Sequence, residues 1–140
     1  MTGKQCQKML AAFLCAALFL SLWGCGKKLE KEKGKAVEYT ICQEQNLPGM
    51  LKKTLEDKKE KPGTFTWKNS MYTYLVVCYG RQKYSGYSIR VEECTMRKES
   101  LYLRTQLIGP SAGEPVTETE TFPWIVVRCD QTEAICIIEP

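Results

Sequence analysis

Lys83 and Ser85 form a close Ser/Lys pair that falls in a turn of this 140-residue chain. Two residues apart on an extended segment, they share a side, as a serine nucleophile and a lysine base would. Such a base needs a dry pocket to depress the lysine pKa, with oxyanion donors beside it. An exposed turn between strands offers neither, so no catalytic residue is expected. Histidine is absent, which excludes Ser-His and Cys-His nucleophiles, a histidine base and every histidine-containing metal site. Glu92-Glu93 and Glu118-x-Glu120 are paired acids, but nothing makes them a glycosidase pair, and they read as solvating charges at strand edges. Glu118, Glu120 and Glu133 offer oxygens to calcium without a ligand loop of recognisable spacing. With no Gly-rich phosphate loop either, no metal, no cofactor and no small-molecule substrate is expected.

Lys and Arg total 20 against 16 Asp and Glu, a formal charge of +4. That balance is too mild and too mixed in sign to point to nucleic acid. Hydrophobic residues make up 44% and charged ones 26%, which is a globular composition sized for one domain.

The first 25 residues read as an address. Lys4 and Lys8 precede fifteen residues without a charge, Met9 to Trp23. A membrane span needs ~20 apolar residues, so this run is short for one and fits the core of a secretory signal peptide. It ends in Leu22-Trp23-Gly24-Cys25, which resembles the lipobox of bacterial lipoproteins. The resemblance implies cleavage between Gly24 and Cys25 and a diacylglycerol on the Cys25 sulfur. Two acyl chains, at ~0.8 kcal/mol per buried CH₂, hold a protein stably on a membrane. The expected location is therefore the extracytoplasmic face of the cell membrane. The mature chain would carry five thiols, Cys42, Cys78, Cys94, Cys129 and Cys136. An odd set cannot pair completely within one chain, and no pair has CxxC spacing. Whether any of them pair is left open; most read as small apolar residues on strands.

Residues 25–36 hold the lipidated cysteine and a lysine-rich stretch that reads as a solvated tether. Residues 37–140 read as the folded domain. Val37 to Cys42 predicts a first strand. Asn46-Leu47-Pro48 predicts a helix start, with Asn46 as cap and Leu47, Met50, Leu51 and Leu55 on one face of a helix near 47–60. Pro62-Gly63 should stop it. After that the period changes from 3.6 to 2. Thr64–Lys68, Met71–Tyr79, Tyr87–Val91, Leu101–Leu107, Trp124–Arg128 and Ile135–Ile138 predict strands, with Met71–Tyr79 central and the last two joined by a hairpin loop at Asp130–Glu133. Such short strands at ~8–12-residue spacing predict a mainly β fold, a small antiparallel sandwich or barrel-like domain with one helix; α+β is the alternative.

Gly80-Arg81-Gln82-Lys83-Tyr84-Ser85-Gly86-Tyr87-Ser88-Ile89 resembles the G-x-x-x-T-G-G-Y-S-I motif of the PrcB C-terminal domain family. Leu107-Ile108-Gly109-Pro110 and Thr121-Phe122-Pro123 stand where that family has a proline-bearing loop and a later T-x-P. Tyr84 replaces the usual Thr, and Ser85 the first Gly of the pair; a positive φ at Ser85 would strain it. The resemblance implies a non-catalytic accessory role in support of a surface protease complex. Successive antiparallel strands should bring the loops Gly80–Gly86 and Ile108–Pro115 to one tip. Arg81, Tyr84, Tyr87, Ile108 and Pro110 would cluster there as candidate partner-binding residues. The expected partners are the membrane, through lipid on Cys25, and a protease or other envelope protein. A loop-based protease inhibitor on a similar sandwich is the alternative.

Overall fold

The computed structural model describes residues 33–140. Gly24 and Cys25, where cleavage and lipidation are expected, lie outside the described residues. Among the described residues eight strands form two four-stranded sheets, β1(Lys35–Ala36), β2(Thr40–Ile41), β3(Pro62–Lys68), β4(Tyr72–Tyr79), β5(Ser88–Arg97), β6(Ser100–Ile108), β7(Trp124–Asp130) and β8(Ile135–Glu139), with one α-helix, α1(Gly49–Lys58). The sheet orders are β1-β5-β6-β8 and β2-β7-β4-β3. The sheets do not close on each other, so of the two forms expected this is the sandwich.

The helix adds a third layer. Leu47, Leu51 and Leu55 pack with Tyr74, Val76, Cys78 and Val126 on the outer face of the β2-β7-β4-β3 sheet. On its inner face Leu75, Val77, Ile125, Val127 and Cys129 meet Cys94, Leu101 and Leu103 of the other sheet. β4 is therefore covered on both sides, which is why Tyr72-Thr73-Tyr74-Leu75-Val76-Val77-Cys78-Tyr79 is apolar at nearly every position rather than at alternate ones. Burying a Leu or Val side chain contributes roughly 1.5–3 kcal/mol, so this strand and its two covers dominate the core. Tyr79 ties the sheets together by a 2.7 Å hydrogen bond between its hydroxyl and that of buried Thr105.

Five expectations need correction. The strand expected at Val37–Cys42 shrinks to β2, and Lys35–Ala36, at the end of the expected tether, forms β1: β1 pairs with β5 and β2 with β7, so the chain crosses between sheets at 37–39. Asn46 does not cap the helix; it closes a 3-10 turn, Glu44–Asn46, and α1 begins after Pro48, which has no side-chain cap bond. Met50 is exposed, off the buried stripe of Leu51 and Leu55. Pro62-Gly63 follows the helix end as expected but is also the first part of β3, which starts two residues before the expected Thr64; β3 is an edge strand, where proline's missing donor costs no ladder bond.

The fifth correction concerns β8. It does not form a hairpin with β7, because β2 and β4 already occupy both sides of β7. It crosses to the other sheet and pairs parallel with β6, so the sandwich is not wholly antiparallel. The connecting loop is held in that path. The Thr132 N–H donates to Thr73 Oγ1 at 3.2 Å, Lys68 Nζ donates to the Thr132 carbonyl at 2.7 Å, and the Ile135 N–H donates to the Glu99 carbonyl at 3.0 Å.

Candidate functional site

β4 and β6 both run out into loops at one end of the sandwich, and β5 and β7 return from them. At the end of β4, Gly80 takes φ 71°, and an added Cβ there would lie 2.6 Å from Pro62 Cδ. Only glycine lets the chain leave β4 this close to the start of β3. Residues 81–85 then run against 117–121. Gln82 and Thr121 exchange backbone hydrogen bonds at 2.8 and 2.9 Å, and the Ser85 N–H donates to the Thr117 carbonyl at 3.0 Å. The Thr121 hydroxyl donates to the Tyr84 carbonyl at 3.0 Å.

Charges follow the same pairing. Arg81 lies 3.0 Å from Glu120 and Lys83 lies 3.1 Å from Glu118. Both pairs are well exposed, so each contributes at most about 1 kcal/mol; their main effect is on register. Gly86, at φ 92°, turns the chain into β5 and packs on Pro110, whose Cβ would be 2.9 Å from an added Cβ. Ser85 is not among the residues of positive φ, so the replacement of the family's first glycine carries no backbone strain.

The expected tip residues fall as follows. Arg81 is exposed beside Glu120, 6.0 Å from the Phe122 ring. Tyr84 is 40% exposed, with the Lys83 ammonium 5.4 Å from its ring centre. Pro110 sits on Gly86, and the Tyr87 ring is 3.8 Å from the point where a Gly109 Cβ would lie. Ile108 pairs in register with Ser88, so it shares the face of Ser88 and lies opposite to that of Tyr87. Tyr87 and Pro110 thus lie at the Gly86–Gly109 approach, Arg81 and Tyr84 lie on the segment leading to it, and Ile108 points to the outer face of its sheet.

Beside Tyr87 is a cleft of about 270 Å³ lined by Ile41, Ile89, Pro123 and Trp124 among others. Sequence reasoning missed Ile41 and Trp124, which come from strands far apart in the chain. It also missed Glu118 and Glu120 as partners of Lys83 and Arg81. The signal was there: two cations spaced by two, and two acids spaced by two, each on an extended segment.

The tip has no assembled nucleophile. Lys83 is engaged by Glu118, and Ser85 Oγ accepts from the Thr117 N–H and hydroxyl at 3.0 and 2.9 Å. Among the described residues no group of three Cys, Asp or Glu is placed to hold a metal. Elsewhere, Glu93 accepts from Arg97 and from Thr95 and lies 3.7 Å from Arg104; the Arg97 hydrogen bond above all holds its carboxyl below the usual range. Tyr102 donates to Glu139, which raises its phenol, and the Arg97 guanidinium lies 3.8 Å from the centre of its ring. Burial raises the Cys42, Cys78 and Cys94 thiols and pushes Cys129 up to about 11.

No curated protein and no solved structure matches this chain. A family model described as PrcB C-terminal matches residues 73–130, from the start of β4 to the end of β7. That stretch includes both segments of the tip, and the match fits a protease-complex accessory role at the level of the family. The matched family is the one that the Gly80–Ile89 segment resembles, and the match extends over residues 73–130.

Proposed function

We propose that this chain is a non-catalytic binding module that supports a secreted or surface protease and is held at the extracytoplasmic face of the membrane by lipid on Cys25. The partner is engaged by the tip, through Arg81, Tyr84, Tyr87 and Pro110, with Ile108 on the flank. The observation that carries this reading is the clamped pair of segments 81–86 and 117–121, which lies inside the family-matched stretch. Arg and Tyr presented on a rigid support make effective interface anchors, because little ordering entropy is left to lose on binding.

A second reading draws on one observation. Residues 111–120 are all exposed while the loop that carries them is tied down at Pro110 and again from Thr117 to Thr121. An exposed loop tied down at both ends is also the form of a protease inhibitor.

The test is the proteolytic activity that co-purifies with the tagged full-length chain from its native envelope. A stabilising module predicts that this activity decays faster when the chain carries Arg81→Ala and Tyr84→Ala. An inhibitor predicts that activity rises with the same variant. Proteolysis that never co-purifies would overturn the protease reading.

A further inference from the structure

Four strands border the two sheets: β1 and β8 on one, β2 and β3 on the other. A border strand presents unpaired N–H and C=O groups and recruits further strands unless it is blunted by shortness, proline or lysine. β1 and β2 are two residues long. β3 begins at Pro62 and ends at Lys68. β8 has none of these devices. It is five residues, Ile-Cys-Ile-Ile-Glu, without proline or lysine, and among the described residues β6 is its one strand neighbour.

Its side chains add a second observation. Cys136 and Ile138 pack into the core, while Ile135 and Ile137 are 68% and 43% exposed. Two β-branched residues at i and i+2 thus stand on the open face beside an unpaired edge. Exposed acids bracket them, Glu133 just before the strand and Glu139 at its end.

That charge arrangement selects the occupant. In an antiparallel pair of two β8 strands, aligning Ile135 with Ile137 of the other copy brings Glu139 of each toward Glu133 of the other. Shifting by one pair sets Glu139 against Ile135. Like charges or an acid against an isoleucine oppose both registers. We propose that the β8 edge takes an extended segment of a partner protein, one with two β-branched residues at alternate positions flanked by lysine or arginine. The added strand would continue the β1-β5-β6-β8 sheet, with main-chain hydrogen bonds supplying affinity and the flanking cations supplying selection. This surface is separate from the tip and does not depend on the tip's role.

The probe is a fluorescein-labelled peptide, Lys-Thr-Val-Thr-Val-Thr-Lys, titrated with the full-length chain at low salt and followed by anisotropy. Saturable binding is expected, weakened about tenfold or more by Ile137→Lys, which places a cation and removes an apolar contact on the open face. Ile135→Lys should act alike, and serves if Ile137→Lys unfolds. Thr66→Lys on β3 should leave binding unchanged, and a peptide with glutamates in place of the lysines should not bind. No saturable binding, equal binding of the glutamate peptide, or indifference to both isoleucine variants would overturn the proposal. So would self-association of the wild-type chain that Ile137→Lys abolishes, since the occupant would then be a second copy.

Discussion

Ser85 and Thr117 are joined three times over. The Ser85 N–H donates to the Thr117 carbonyl at 3.0 Å, and Ser85 Oγ accepts from both the Thr117 N–H at 3.0 Å and its hydroxyl at 2.9 Å. The residue that replaces the family's first glycine is therefore the clasp of the tip. Ser85→Ala removes two of the three bonds. We expect a stability loss of no more than about 1 kcal/mol, since the site is open to water, but markedly faster amide hydrogen exchange at Thr117. Unchanged exchange there would show that the backbone pairing alone holds the loop.

Gly86 and Gly113 both have positive φ, 92° and 88°, but only Gly86 faces a neighbour, Pro110. Gly113→Ala should cost only the backbone term, about 1 kcal/mol, whereas Gly86→Ala adds the clash and should cost up to about 3 kcal/mol. Urea unfolding of the two variants measures the difference. Equal losses would mean that Pro110 yields freely and does not brace the tip.

The thiols should react in an order set by burial. Cys42, Cys78, Cys94 and Cys129 are buried, and Cys136 is partly exposed. With Cys129 pushed up to about 11, almost none of it is thiolate at pH 8. Native alkylation at pH 8 followed by mass mapping should label Cys136 first among the five, with Cys129 protected until the chain unfolds. Early labelling of Cys129 would contradict the two-layer burial of β7.

Glu93 should set part of the acid limb of stability. Its carboxyl is held low by Arg97, so the contribution is present above the unfolded value of ~4.3 and is lost as pH falls through the lower folded value. Tyr102 acts at the other end: its raised phenol contributes below ~10 and the contribution is lost as pH rises through the folded value. Thermal unfolding across pH should show Glu93→Gln flattening the acid limb and Tyr102→Phe flattening the alkaline one. Parallel curves for variant and wild type would contradict this.

Much of the architecture was legible because burial writes itself into pattern. The unbroken apolar run of β4 marked a central strand, and the alternation around Ile89 and Val91 marked one half-buried face. What stayed hidden depends on occupancy rather than pattern. Nothing local to Asp130–Glu133 says that both sides of β7 are taken, so a hairpin was expected where the chain crosses to β6. Asn46 carries the residue type of a cap, but the 3-10 turn before Pro48 displaces the helix start by two residues. At the tip, strand direction brings the two loops to one end, where Gly86 meets Pro110 and Gly109 meets Tyr87. The divergence of Ile108 follows from strand alternation: it neighbours Leu107, which pairs with inward Ile89, and itself pairs with Ser88 on the opposite face.

The central claim is that the tip is the surface that meets a partner. Its most direct measurement is site-specific photo-crosslinking in the native envelope, with the crosslinker placed once at Tyr84 and once at Met50. Both positions are exposed; Tyr84 is on the tip and Met50 on the helix layer. The account predicts a discrete protein adduct from position 84 that contains a protease or its complex, and none from position 50. An adduct from position 50 with none from position 84 would contradict it and move the interface to the helix.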